Sequence, residues 1–253
     1  MRVGRRGSLA VVTLDSPHNR NALSARLVAE LHSAVESAAA DGSVRMIVLT
    51  GDGPAFCSGA DLAERLHPQT VPARGPELAD VLTAIATAPQ PVVARVNGPA
   101  RAGGLGLVAA CDLAVAERGT TFAFAEVKVG VAPALIAVPA RLVMERRALA
   151  RYTLTGETFD AEAAAASGLL TEAVAEGELD EWVEARLASV VAAAPGAVAV
   201  TKRLLAELAP LGWDEALALA GARSAQRFTS PEAAEGMAAF LAKRPPSWVE
   251  PPA

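Results

Sequence analysis

A chain of 253 residues is long enough to bury one large core, or a core with a helical extension. The formal net charge of −5 argues against nucleic acid as the main partner. The hydrophobic share of 52% owes much to alanine, and no apolar run reaches the roughly eighteen residues of a membrane span.

The basic start, Met1 to Gly7, leads into an apolar run broken by Asp15. That is not a signal-peptide pattern, so the protein is read as cytoplasmic. Leu9 to Leu14 reads as a buried strand. Ser24 is placed to cap a helix with Leu27, Val28, Leu31 and Val35 on one face, which Asp41-Gly42 ends. Arg45 to Thr50 reads as a second strand. The segment His67 to Gly75, with Pro68, Pro72 and little apolar content, reads as a mobile loop. A helix near Pro76 to Ala88, a strand at Val92 to Val96, a Gly-rich turn with an apolar helix, and a short strand at Asp112 to Ala116 follow. Strands alternating with helices at this spacing predict an α/β layered core. Strand signals thin out after Ala134. The alanine run at 161–166 reads as helix, as do Leu179 to Ala193, Pro195 to Leu208, Trp213 to Phe228 and Pro231 to Leu241. Pro195 and Pro231 suit first-turn positions. The expected division is an α/β core at 1–190 and a helical C-terminal region at 191–253.

Two segments follow one plan. Ile47 to Gly51 leads into Phe56-Cys57-Ser58-Gly59-Ala60-Asp61-Leu62, and Val92 to Gly98 leads into Ala102-Gly103-Gly104-Leu105-Gly106. Small residues let a ligand approach the main chain. A helix start adds unpaired N–H groups and a positive dipole end. Two such turns facing each other could hold an oxygen that gains negative charge. Each turn alone could equally serve close strand–helix packing. The second misses the dinucleotide fingerprint, and no lysine follows it as a phosphate loop requires. Cys57 and Cys111 form no zinc spacing with His18, His32 and His67, so no metal is expected.

In order along the chain, Ser16-Pro17-x-x-Arg20-Asn21-Ala22-Leu23-Ser24, the Phe56 to Leu62 block, Pro91 to Asp112 and Phe124 to Pro133 resemble the enoyl-CoA hydratase/isomerase, or crotonase, superfamily. The likeness continues to the tail Phe240-Leu241-Ala242-Lys243-Arg244. It implies a crotonase-like spiral of repeated ββα units with a helical C-terminal trimerisation region, as a homotrimer or dimer of trimers. It implies an acyl-CoA thioester as substrate, with coenzyme A arriving as part of it and no separate cofactor. Neither a nucleic acid nor a membrane is an expected partner.

By the same resemblance, the backbone N–H groups of Ala60 and Gly103 polarise the thioester oxygen. Asn21, Ala22 and Leu23 line the pantetheine and adenine path, with Ser58, Asp61 and Leu62 beside it, and Gly104 and Gly106 also belong to the substrate-binding set. Lys243 or Arg244 is the candidate cation for a coenzyme A phosphate. Of two glutamates typical of the family, one is replaced by Gly106, which could make room for a bulkier acyl group. The other is matched by Glu126. A carboxylate between apolar neighbours tends towards a raised pKa, which suits proton transfer. The expected reaction is hydration of a 2-enoyl-CoA. The alternatives are 3-enoyl to 2-enoyl isomerisation by Glu126 alone, and an acyl-CoA-binding protein without catalysis.

Overall fold

The structure, a computed structural model, describes residues 1–67 and 75–249. The loop expected at His67 to Gly75 lies mostly outside the described residues. Among the described residues, nine strands run in chain order: β1 (Arg2–Arg6), β2 (Leu9–Leu14), β3 (Met46–Gly51), β4 (Val92–Val96), β5 (Ala100–Arg101), β6 (Leu113–Glu117), β7 (Thr121–Ala123), β8 (Phe159–Asp160) and β9 (Glu172–Val174). The helices are α1 (Ala25–Ala40), α2 (Leu62–Leu66), α3 (Leu78–Thr87), α4 (Gly103–Ala110), α5 (Ala134–Val143), α6 (Arg146–Thr155), α7 (Ala161–Ala166), α8 (Leu179–Ala192), α9 (Pro195–Leu208), α10 (Trp213–Phe228) and α11 (Pro231–Leu241).

The main sheet has the order β1-β2-β3-β4-β6-β9. β1 pairs antiparallel with β2, and every later pair in it is parallel. Parallel pairs need crossover connections, and those crossovers carry the helices. Side chains on a strand alternate between faces. Leu9, Met46, Val48, Val93 and Val115 therefore share one face, where Leu179, Trp182 and Val183 of α8 cover them. Ala10, Val12, Ile47, Leu49, Val92 and Ala94 share the other, against α1, α3 and α4. Ser24 Oγ accepts the Leu27 N–H at 3.2 Å and opens α1, whose Leu27, Val28, Leu31 and Val35 are buried. Both faces of the sheet's centre are covered, so β2, β3 and β4 read as near-continuous apolar runs.

A small second sheet, β5-β7-β8, stands beside the first. It is packed by Phe122 and Phe124 against Phe159, whose ring stacks on Tyr152 at 3.8 Å between centroids.

α8 closes at Ala192, two residues past the boundary expected at 190. α9 and α10 contain no buried residue, and α11 contains only Ala239. Lys202 ties α9 to the core. Its Nζ donates to the carbonyls of Ile85 (3.0 Å) and Gln90 (3.1 Å) and meets Asp112 Oδ2 at 2.7 Å. Among the described residues no single helix is long and apolar enough to cross a membrane.

Candidate active site

The site begins with Asn21, which sits in the left-handed region at φ 57°. Its side chain is wholly buried. Oδ1 accepts the Ser16 N–H at 2.8 Å, and Nδ2 donates to the carbonyls of Asp52, Ala55 and Phe56 at 3.0, 2.9 and 3.2 Å. Asn21 thus shapes the turn after β3. Its side chain is spent on that turn, so any part Asn21 has in lining the coenzyme A path falls to its main chain.

Main-chain hydrogen bonds then stitch three distant segments together. Ser58 N donates to Arg20 O (3.0 Å), Leu23 N to Gly59 O (2.7 Å), Arg101 N to Cys57 O (2.9 Å) and Ala102 N to Ala123 O (3.0 Å). Gly59 has φ +95°, and a Cβ on it would stand 2.7 Å from Ala102 Cβ and 3.6 Å from Gly103 N. The two glycine turns are therefore in contact, with Ala60 next to that point. Ala102 has φ 47° and ψ −120°, a conformation that L-residues rarely adopt. It carries the chain into α4 with Gly103 as the first helical residue. Among the described residues, the Ala60 and Gly103 N–H groups donate to no protein acceptor.

Glu126 stands on a 3-10 turn, Ala125–Val129, directly after β7. β7 pairs with β5, so the strand leading to Glu126 runs beside the one leading to Gly103. Phe122 and Phe124 anchor that strand in the core. Glu126 Oε2 is buried and has no hydrogen-bond partner. Burial pushes its carboxyl above the usual carboxylate range, opposed only by a backbone hydrogen bond.

Gly106 does not face open space. A Cβ there would stand 2.5 Å from Ile136 Cγ2 and 2.9 Å from Ile136 Cβ. The expectation that Gly106 makes room for a bulkier acyl group is overturned, because α5 fills that room. Gly104 likewise serves packing, since its Cβ would lie 2.9 Å from both Cys57 Cβ and Cys57 O. Burial pushes the Cys57 thiol up to about 12, so it is no nucleophile.

Around the turns, Ala22 and Leu23 are nearly buried, and Leu23 Cδ1 would meet a Gly103 Cβ at 2.8 Å. Ser58 Oγ donates to Asn19 O at 3.1 Å. Asp61 caps α2, accepting the N–H groups of Ala63 and Glu64. Leu62 and Leu66 are exposed, at 54% and 77%. Lys243 is exposed and lies far along the chain, just after α11. Arg244 is committed to Glu235 through bonds of 2.7 and 2.8 Å, which hold that carboxyl down at about 2. The tail beyond them returns to Arg45, whose Nη1 donates to Trp248 O at 3.4 Å. Arg45 opens β3 at the end opposite Gly51, so that tail packs away from the turns of its own chain.

The site combines two backbone donors with no protein acceptor among the described residues, at touching turns, with a half-buried carboxyl on the segment that follows the strand paired beside them. It is equipped to hold an oxygen that gains charge beside a group that moves protons. The enoyl-CoA hydratase/isomerase family model matches residues 4–251, and the chain belongs to that family. An enoyl-CoA hydratase of Mycobacterium smegmatis is 38% identical, covers 98% of both chains and superposes with a TM-score of 0.89. An enoyl-CoA hydratase/isomerase from Marinobacter aquaeolei superposes at 0.90 with 29% identity, covering 98% of both chains. Enoyl-CoA hydratase domain-containing protein 3, mitochondrial, of Rattus norvegicus is 31% identical over 240 residues, or 94% of this chain and 80% of that protein. The mixed α/β architecture with its helical C-terminal region matches these crotonase structures.

Proposed function

We propose that this chain hydrates a 2-enoyl-CoA thioester through an enolate whose oxygen rests between the Ala60 and Gly103 N–H groups. The observation that carries this reading is that, among the described residues, both amides lack a protein acceptor at touching turns, while Glu126 Oε2 is buried without a hydrogen-bond partner. The Glu126 carboxylate takes a proton from water as the water oxygen bonds to C3. The C2–C3 π electrons shift into the thioester, whose oxygen becomes the enolate. The enolate then collapses and C2 takes the proton back from Glu126, so one carboxyl serves both transfers and is restored. Preorganised amides stabilise that oxygen without reorganising, each worth about 3–4 kcal/mol in acyl-transfer enzymes. The names of the relatives support hydration.

A second reading has its own observation. Ile136 closes the Gly106 position, leaving Glu126 without a partner carboxylate there. One carboxylate suffices to take a proton from C2 of a 3-enoyl-CoA and return it at C4. Crotonyl-CoA and a 3-enoyl-CoA, followed by absorbance with wild type and Glu126→Gln, separate the readings. Loss of crotonyl-CoA absorbance with wild type alone supports hydration. Gain of absorbance from the 3-enoyl-CoA without hydration replaces it with isomerisation. No turnover of either, with thioester binding intact, leaves an acyl-CoA-binding protein.

The same proposal includes self-association as a trimer or a dimer of trimers. α9 to α11 carry Leu205, Trp213, Leu217, Phe228 and Phe240 at 56–83% exposure, an apolar surface that a second copy would cover.

A further inference from the structure

Arg203, Arg223 and Arg227 line a cavity of about 320 Å³ together with Val200, Gln226 and Ser230. Val200 and Arg203 come from α9, the next three from α10, and Ser230 from the cap of α11. None of these residues belongs to the two turns or to the Glu126 segment. Every charged group on the wall is a guanidinium, and no carboxylate lines it.

Two carboxylates meet two of these three cations, which leaves one positive charge in excess. Glu207 accepts Arg223 Nη2 at 3.1 and 3.2 Å. Glu232 pairs with Arg227, but it also accepts the N–H groups of Gly196 and Ala197 at 2.9 and 3.0 Å, at the start of α9. Arg203 is exposed and, among the described residues, has no acidic partner. Arg223 and Arg227 are four residues apart on one helix, so they stand on one face and repel each other. Arg203 adds a third cation from the facing helix. The guanidinium forks and the Gln226 amide offer donors to the same space.

We propose that this cavity is a binding site for the phosphoryl group of a small phosphorylated molecule. Guanidinium groups match tetrahedral oxyanions through paired N–H donors. The volume lies at the lower end of small-ligand sites, which fits a phosphoryl group with part of the molecule that carries it. The inference does not depend on the reaction at Glu126.

The test is calorimetric titration of the full chain with inorganic phosphate and, separately, with adenosine 5′-monophosphate, at fixed ionic strength with chloride as the control. Saturable binding of at least one probe is expected. Arg203→Ala should weaken it about ten-fold, the loss of one charge-assisted contact. Arg203→Glu should abolish it, while both variants melt like wild type without ligand because Arg203 has no partner to lose. Binding of phosphate alone shows that the free ion suffices, and preference for the nucleotide shows that the ester is recognised. No saturable heat with either probe, or affinities unchanged in both Arg203 variants, overturns the assignment.

Discussion

Ile136 Cγ2 lies 2.5 Å from where a Gly106 Cβ would stand. α5 and α4 are thus packed against each other through the missing side chain, with Ile136 only 3% exposed. From the sequence, Gly106→Glu would be expected to raise hydration by restoring a second carboxylate. The structure predicts the reverse. The new side chain should cost about 2–3 kcal/mol through overpacking and burial of a charge. Ile136→Ala should recover part of that loss in the double variant, a coupling that urea denaturation of the two single variants and the pair measures.

The backbone donors give a second prediction. Gly103→Pro removes an N–H that no protein group uses, and proline is tolerated as the first residue of a helix. Its new Cβ would meet Leu23 Cδ1 at 2.8 Å, so that flexible side chain must shift and some stability is lost, but the fold should survive by circular dichroism while kcat falls about 10²–10³-fold. Ala60→Pro is the parallel test.

Glu126 ties activity to stability. Its carboxyl is raised by burial, so its contribution to stability is greatest below the ordinary glutamate range and is lost as pH rises through the folded value. Glu126→Gln should therefore melt on the order of 1–2 °C higher than wild type at neutral pH. The gain should shrink towards pH 4, where wild type is protonated. Turnover should fall by several orders of magnitude, about 10²–10⁴-fold for loss of a general acid/base. Melting curves at several pH values, beside activity, check both.

The longer elements are legible in the sequence because periodicity needs length. Leu9–Leu14, Val92–Val96 and the four C-terminal helices fall where patterning places them, within a residue or two. β5, β7, β8 and β9 have two or three residues each, too few to show alternation, and they pass unseen. β1 is hidden differently: all five of its residues are exposed, so it has no apolar face to read. In the site, the glycine turns and Glu126 carry local signals. Ile136 does not, since an isoleucine in the apolar run Ala134 to Ala137 looks like any core residue until α5 is laid on α4. Asn21 misleads for a related reason. A buried amide that holds a turn and an amide that binds a ligand have the same sequence signature.

Asp112 gives the last stability test. Burial raises its carboxyl, and Lys202 opposes the rise. Lys202→Met would leave the partly exposed carboxylate with the Val92 N–H as its remaining partner and should cost about 1 kcal/mol at neutral pH. Because protonation then relieves the strain, the loss should narrow as pH falls. Urea midpoints at pH 5 and pH 8 measure that difference.

The way Lys202 is enclosed also sets how this protein can be handled chemically. The chain has lysine only at 128, 202 and 243. Lys202 is 11% exposed at its side chain and held by two carbonyls and Asp112, and the Met1 amine is paired with Glu30 at 2.9 Å. Amine-directed dyes or crosslinkers are thereby steered to Lys128 and Lys243, both exposed. One of these stands two residues from Glu126 and the other on the tail beyond α11. A single labelling reaction would place one reporter beside the proposed chemistry and one where neighbouring copies are proposed to meet.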